Sequence, residues 1–213
     1  MAADSGNLNV AEQSALPTPE AILPEDVLRA DMYDLLAALL ARPPAAPVLA
    51  AVSRLEGNEI DLGQAVDMLA RLAGGATAAD AKREFNALFV GLGRGEVLPF
   101  ASYYTTGFLN EAPLARLRTD MAQLGILRED GVSEPEDNLA SLCDMMAGLI
   151  RGRFGAPVPL ARQREFFDTH LAPWAGLCFQ DIEQAQSAVI YAAVGAMGRE
   201  FITIEAETLR MVE

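Results

Sequence analysis

Cysteine, histidine and tryptophan are scarce in this chain: two, one and one in 213 residues. Cys143 and Cys178 are too few for a disulfide framework and lack metal-ligand spacing, so they read as buried small hydrophobes in a reducing compartment. The lone histidine, His170, stands at the end of an expected helix and reads as a capping or core residue rather than a general base. No apolar run reaches the roughly 18–20 residues that a bilayer span needs. The amino terminus shows no basic segment followed by an apolar core, which predicts a soluble, cytoplasmic chain without an export signal. Aromatics make up 7% and β-branched residues are sparse, while alanine and leucine are prominent. With no alternating strand pattern and no internal repeat, that composition predicts an all-α protein. Bases are short as well. Sixteen against thirty acids leave a net charge of −14, which repels nucleic acid and anionic lipid and favours cationic partners.

What is present is a series of amphipathic segments separated by proline and glycine. Residues 1–20 have no periodicity, end in Pro-Thr-Pro, and are expected to be a disordered tail ahead of a helical domain spanning 21–213. The spacing predicts helices over Pro24–Leu40, Pro47–Leu55 and Leu62–Leu72, then one capped by Thr77 with Asp80. Further helices are predicted from Pro113 to Leu124, from Leu160 to Leu171, onward from Pro173, and over Val189–Met211. Ser133 and Glu136 have capping-box spacing, and Pro135 suits a first turn, so a helix carrying Leu139, Leu142, Met146 and Leu149 is expected to open there. The sum is roughly eight to ten helices in a multi-helix bundle.

The stretch from Glu84 to Tyr104 stands apart. Phe85, Leu88, Phe89 and Leu92 are spaced for one helical face, and glycines then recur at Gly91, Gly93 and Gly95. Pro99 follows, then Phe100, Tyr103 and Tyr104. An apolar helix, a permissive loop and an aromatic cluster suit either two packed helices with a connector or one wall of a binding groove. The Gly91–Gly95 run also invites a nucleotide-binding reading, as a small helical nucleotide-binding protein or enzyme; a phosphate loop, however, follows a strand, and this run follows a helix. Glu134, Glu136 and Asp137 suit a metal or, more simply, first-turn acids against a helix dipole. No catalytic constellation or metal-binding set emerges from these residues.

Two segments carry a resemblance. Glu84-Phe85, Leu88-Phe89, Gly91 and Gly93, followed by Pro99-Phe100, Ser102 and Tyr104, resemble the signature loop of the TorD/DmsD/NarJ family of molybdoenzyme maturation chaperones. Glu134-Pro135-Glu136-Asp137-Asn138-Leu139 resembles that family's E-P-x-D-H motif, and His170-Leu171 with Pro173-Trp174 a third landmark. The resemblance implies an all-helical, non-enzymatic, cofactor-free chaperone. It implies binding of the twin-arginine signal peptide and apo form of a molybdopterin oxidoreductase, such as formate dehydrogenase, during cofactor insertion and before export. It further implies a monomer or a domain-swapped dimer. The implied client-binding residues are Glu84, Phe89, Gly91, Gly93, Phe100, Tyr103, Tyr104, Glu134, Asp137 and Asn138. Leu92, Phe100-Ala101 and Asn138 depart from the pattern, which has proline, Pro-Trp and histidine there. Asparagine keeps the hydrogen bonding and loses the titration.

Overall fold

The computed structural model describes residues 22–91, 93–128, 131 and 134–211. The expected tail over residues 1–20, Leu92 and Ser133 lie outside the described residues. Ten α-helices occur among those described: α1 Pro24–Ala41, α2 Ala46–Val52, α3 Asp61–Gly75, α4 Ala78–Phe85, α5 Ala101–Thr106, α6 Ala112–Gln123, α7 Leu139–Arg151, α8 Leu160–His170, α9 Ala175–Gln184 and α10 Ile190–Arg210. The sheet content among them is one isolated antiparallel bridge, Phe100 to Asn138. The all-α expectation holds.

Local chemistry explains most boundaries. Pro24 sits in the first turn of α1 with Glu25 and Asp26 beside it, where no backbone N–H is lost and acids meet the positive end of the helix dipole. Thr77 and Asp80 form the reciprocal capping box expected at the start of α4. One start differs from expectation: α7 opens at Leu139, not near Pro135. Asn138 Oδ1 accepts the Ala140 N–H at 2.8 Å and is the cap. Glu136, the expected capping-box partner, is taken by Arg118 at 2.9 Å.

Two helices form the interior. Ten of the thirteen residues of α7 are buried, so this helix is covered nearly all round. It packs on α1, while α10 packs on α9 and α3. The α9–α10 approach is close because Gly195 and Gly198 present no side chain to α9. A Cβ on Gly195 would lie 2.5 Å from the Glu183 amide nitrogen and 2.7 Å from the Phe179 carbonyl oxygen, both backbone atoms that cannot swing aside. Gly195→Ala is therefore expected to lower unfolding free energy by about 1–3 kcal/mol, the usual cost of overpacking. Gly176→Ala, whose Cβ meets nothing within 4 Å, should be neutral or stabilising by about 0.4–1 kcal/mol. Guanidinium denaturation of both variants checks this; equal effects would show that the contact does not set the helix spacing.

Candidate functional site

The signature stretch leaves α4 through a π-helical turn, Asn86–Val90. The wider turn brings Phe89 against Phe85 and Tyr191, with ring centroids 5.0 and 5.3 Å apart. Gly91 has φ +63°, and a Cβ there would collide with the Arg94 carbonyl. One on Gly95 would collide with the backbone of Leu88 and Phe89. The amides of Gly91, Glu96 and Val97 donate to the carbonyls of Asn86, Ala87 and Leu88 at 2.6, 3.3 and 2.9 Å. The loop is thus folded back onto the end of its own helix, and those amides do not converge on an outside anion. Gly93, at φ +99°, is exposed in open space.

Glu84 is buried beneath this loop. Its carboxylate accepts the N–H groups of Val189 and Tyr191, each at 2.7 Å, and of Ile190 at 3.1 Å. These are unsatisfied donors of the first turn of α10, so Glu84 caps that helix from a distance. Its carboxylate is turned into the first turn of α10.

The two motifs meet edge to edge. Leu139 donates to the Pro99 carbonyl at 2.8 Å and Ala101 to the Asp137 carbonyl at 2.9 Å, on either side of the Phe100–Asn138 bridge. Asp137 is 1% exposed, and its Oδ2 accepts the Ser102 N–H at 2.8 Å, holding the start of α5. Asp137 Oδ1 and Ser102 Oγ, both buried, have no hydrogen-bond partner among the described residues. Asp137 is therefore a motif-joining residue without solvent access. Beyond the junction α5 presents two tyrosines. Tyr104 donates to Asp181 at 2.6 Å and lies 5.4 Å from the Trp174 ring, and Tyr103 carries Arg94 over its face at 5.1 Å.

Of the ten expected residues, Glu134 and Asn138 border a groove of about 510 Å³ between α1, α6, α7 and Phe154. Its floor is Ala37, Ala38, Ala41, Met121, Ile126 and Met145, and its rim carries Asp34, Glu134, Glu136 and Asp144 against Arg128. Sequence reasoning passed over the floor. The available signal was the small-residue face of α1 at Ala37, Ala38 and Ala41, which by pattern alone is a packing surface. A second cleft, about 670 Å³, lies between α3, α4 and the start of α10. It carries Arg71 and Arg83 on its rim, and its two carboxylates are already engaged, Glu84 by α10 and Asp80 by Thr77 and Arg83. Among the described residues no group of three or more His, Cys, Asp or Glu is placed to hold a metal ion.

His170 ends α8, outside both motifs. Its Nε2 lies 2.8 Å from Asp120 Oδ2, tying α8 to α6, and its carbonyl accepts the Trp174 indole N–H at 2.7 Å. Burial lowers its pKa, and the Asp120 contact offsets this only in part. The folded protein then binds the proton less readily than the unfolded chain, so stability is full above the unfolded value of about 6.5 and declines as pH falls below it. His170→Gln should flatten the stability profile between about pH 7 and 5.5 in denaturation experiments. A slope that survives the substitution would assign the titration elsewhere. Glu84→Gln should cost about 2–4 kcal/mol, because a charge-assisted cap is replaced by an amide that turns one donor toward donors. Unchanged stability in that variant would release Glu84 for a recognition role.

Comparison with known proteins bears on these motifs directly. The family model for the nitrate reductase delta subunit matches residues 56–180, more than half of the chain and both motifs. The Chaperone protein TorD of Vibrio cholerae strain O395 is 30% identical over 126 residues, covering 56% of this chain and 57% of that one. The protein of the same name from strain M66-2 is 29% identical over the same length. The match thus spans less than two thirds of these relatives' own length. A solved structure from Archaeoglobus fulgidus, titled as a candidate redox enzyme maturation protein, superposes with a TM-score of 0.55 over 83% of this chain and 94% of that one; at 17% identity it bears on the fold alone. With the signature loop and the acidic motif interlocked, and both inside the matched segment, the chain belongs to the nitrate reductase delta subunit family, the TorD/DmsD/NarJ group of redox enzyme maturation chaperones.

Proposed function

We propose that this chain is a cytoplasmic, system-specific chaperone that binds the twin-arginine signal peptide and apo form of a molybdopterin oxidoreductase during cofactor insertion. Formate dehydrogenase is one client of that class. The observation that carries the reading is the groove beside the second motif: an apolar floor under a rim of four carboxylates and one arginine. A signal peptide of this kind joins basic residues to an apolar stretch, and the groove complements both. The larger cleft sets two arginines against two carboxylates, both engaged, and so offers a cationic segment no open acid.

The two halves of the groove contribute differently. Buried apolar area gives roughly 25 cal/mol per Å² before association costs, whereas an exposed ion pair is worth about 0–1 kcal/mol. The floor therefore holds the peptide, and the rim speeds its arrival and rejects acidic segments.

The test uses fluorescence anisotropy with a labelled peptide bearing two arginines ahead of a leucine-alanine run. Ala38→Trp places an indole on the groove floor from an exposed position and should weaken binding at least about tenfold with helicity intact, the equivalent of about 1.4 kcal/mol. Tyr104→Phe, which removes only the hydroxyl bonded to Asp181, should leave affinity within about twofold. The reverse pattern would move the peptide to the tyrosine face. Raising salt should slow association more than it speeds dissociation; a dissociation rate that climbs steeply with salt would instead assign the affinity to desolvated ion pairs.

A further inference from the structure

The four acids of the groove are not equivalent. Asp34 is paired with Arg151 at 3.1 Å and Arg153 at 2.5 Å, and Arg153 reaches across to Asp144 at 3.1 Å. Glu136 takes Arg118 at 2.9 Å and Arg128 at 3.3 Å. Three of the four rim carboxylates thus already hold guanidinium groups belonging to the chain itself. Glu134 holds none. Its Oε1 accepts one hydrogen bond, from Asn138 Nδ2 at 3.2 Å, and no described arginine, lysine or histidine stands within ion-pair distance of it.

We propose that Glu134 is the seat for the client's guanidinium, the one rim carboxylate among the described residues that holds no guanidinium of the chain's own, with the adjoining apolar stretch lying on the floor formed by Ala38 and Met145. The assignment rests on the groove being the peptide site. Three features of the molecule support it. A carboxylate offers about four lone-pair positions, and a single amide contact leaves room for a bidentate guanidinium. The carboxylate is also oriented: Asn138 Oδ1 is fixed by the Ala140 N–H, so its amide nitrogen is turned to Glu134 and steadies the head group at the groove edge. Finally, neighbouring protein desolvates Glu134 and raises its pKa with no positive partner to compensate. Glu134 is itself exposed at the groove edge, so a cation from outside reaches it directly and offsets that partial desolvation. The chain's own arginines show how the other seats are filled. Arg153 spans Asp34 and Asp144 as a client guanidinium would, so those two acids hold the α1–α7 wall together and do not select.

The experiment pairs two probes with three variants of the full chain. The probes are the labelled arginine peptide described above and its twin with citrulline at both arginines, the same shape without the charge. Glu134→Gln keeps an oxygen for the Asn138 contact and so preserves the α7 cap, which an unchanged thermal melt confirms. It should weaken the arginine peptide about fivefold to tenfold, the scale of one charge-assisted hydrogen-bonded pair, and leave the citrulline peptide within about twofold. Asp144→Asn removes the same unit of charge from the same rim and should shift the arginine peptide by less than about twofold at physiological salt. Equal losses for both variants would overturn the proposal, since the rim would then act only as a diffuse field. Equal loss of both peptides in Glu134→Gln would overturn it too. If wild-type protein binds the two peptides equally and Ala38→Trp abolishes both, the groove reading stands and the cation seat falls. If Ala38→Trp affects neither, both fall together.

Discussion

Buried carboxylates fix the interior helix α10 near both of its ends. At the start Glu84 satisfies three backbone donors, and on the last turns Glu205, 1% exposed, takes Arg29 through two bonds of 2.9 and 2.5 Å. Tyr33 adds a third contact to Glu205 at 3.3 Å, and Arg29 also bonds Asp26 and Gln163. A carboxylate taken out of water without partners costs several kcal/mol, so each site tolerates only the arrangement that satisfies it. That requirement orders the neighbours. Glu84 places α4 and the loop after it. Arg29 places α1 against α8 and α10, and at the far end of α1 the Leu39 carbonyl accepts the Tyr191 hydroxyl at 2.7 Å. The half of α1 that carries Ala37, Ala38 and Ala41 is thereby held at a set distance from α7, and the groove exists because that distance is not filled by larger side chains.

The opposite wall of the groove follows from glycine. Gly148 leaves room for the Phe154 ring, which a Cβ would strike, and Gly152, at φ +72°, closes α7 so that the chain doubles back at once. The return places Phe154 at the groove and Arg153 across Asp34 and Asp144. These ion pairs are half exposed and individually worth little. Their consequence is selective neutralisation: on a chain of net charge −14, they decide which acids remain available to a cationic segment and which do not.

Much of the fold was legible because helix boundaries are written in short-range chemistry. Pro24, the Thr77–Asp80 box and the glycine at Gly91 each act within a few residues, and each sits where the pattern put it. The start of α7 was misread because Pro135 and Glu136 satisfy the local rule for a helix start, while the deciding contacts, with Phe100 and Arg118, come from distant positions. Glu84 is the same kind of case. Its motif made it a recognition candidate, yet its partners are more than a hundred residues away and no local pattern announces a carboxylate capping another helix. The groove was the least legible feature. Alanine on a helix face signals close packing, and only the arrangement of α1, α6 and α7 shows that this face is left partly uncovered.

Asn138 brings these points together. The family pattern has histidine there, and the position must do two things at once: accept the Ala140 N–H to start α7, and donate toward Glu134 at the groove edge. A neutral imidazole has one acceptor nitrogen and one donor nitrogen, so it meets both demands in a single tautomer, and protonation removes the acceptor. The asparagine amide meets them at every pH, since its oxygen and nitrogen have fixed roles. The substitution therefore preserves the bond between helix start and groove carboxylate while removing the imidazole's own titration from it. The imidazole that does remain, on His170, ties α6 to α8 at a cleft of its own. In this chain acidity acts on the stability of the scaffold through His170, and the contact between the second motif and the groove keeps one titratable partner, Glu134, whose pKa desolvation raises.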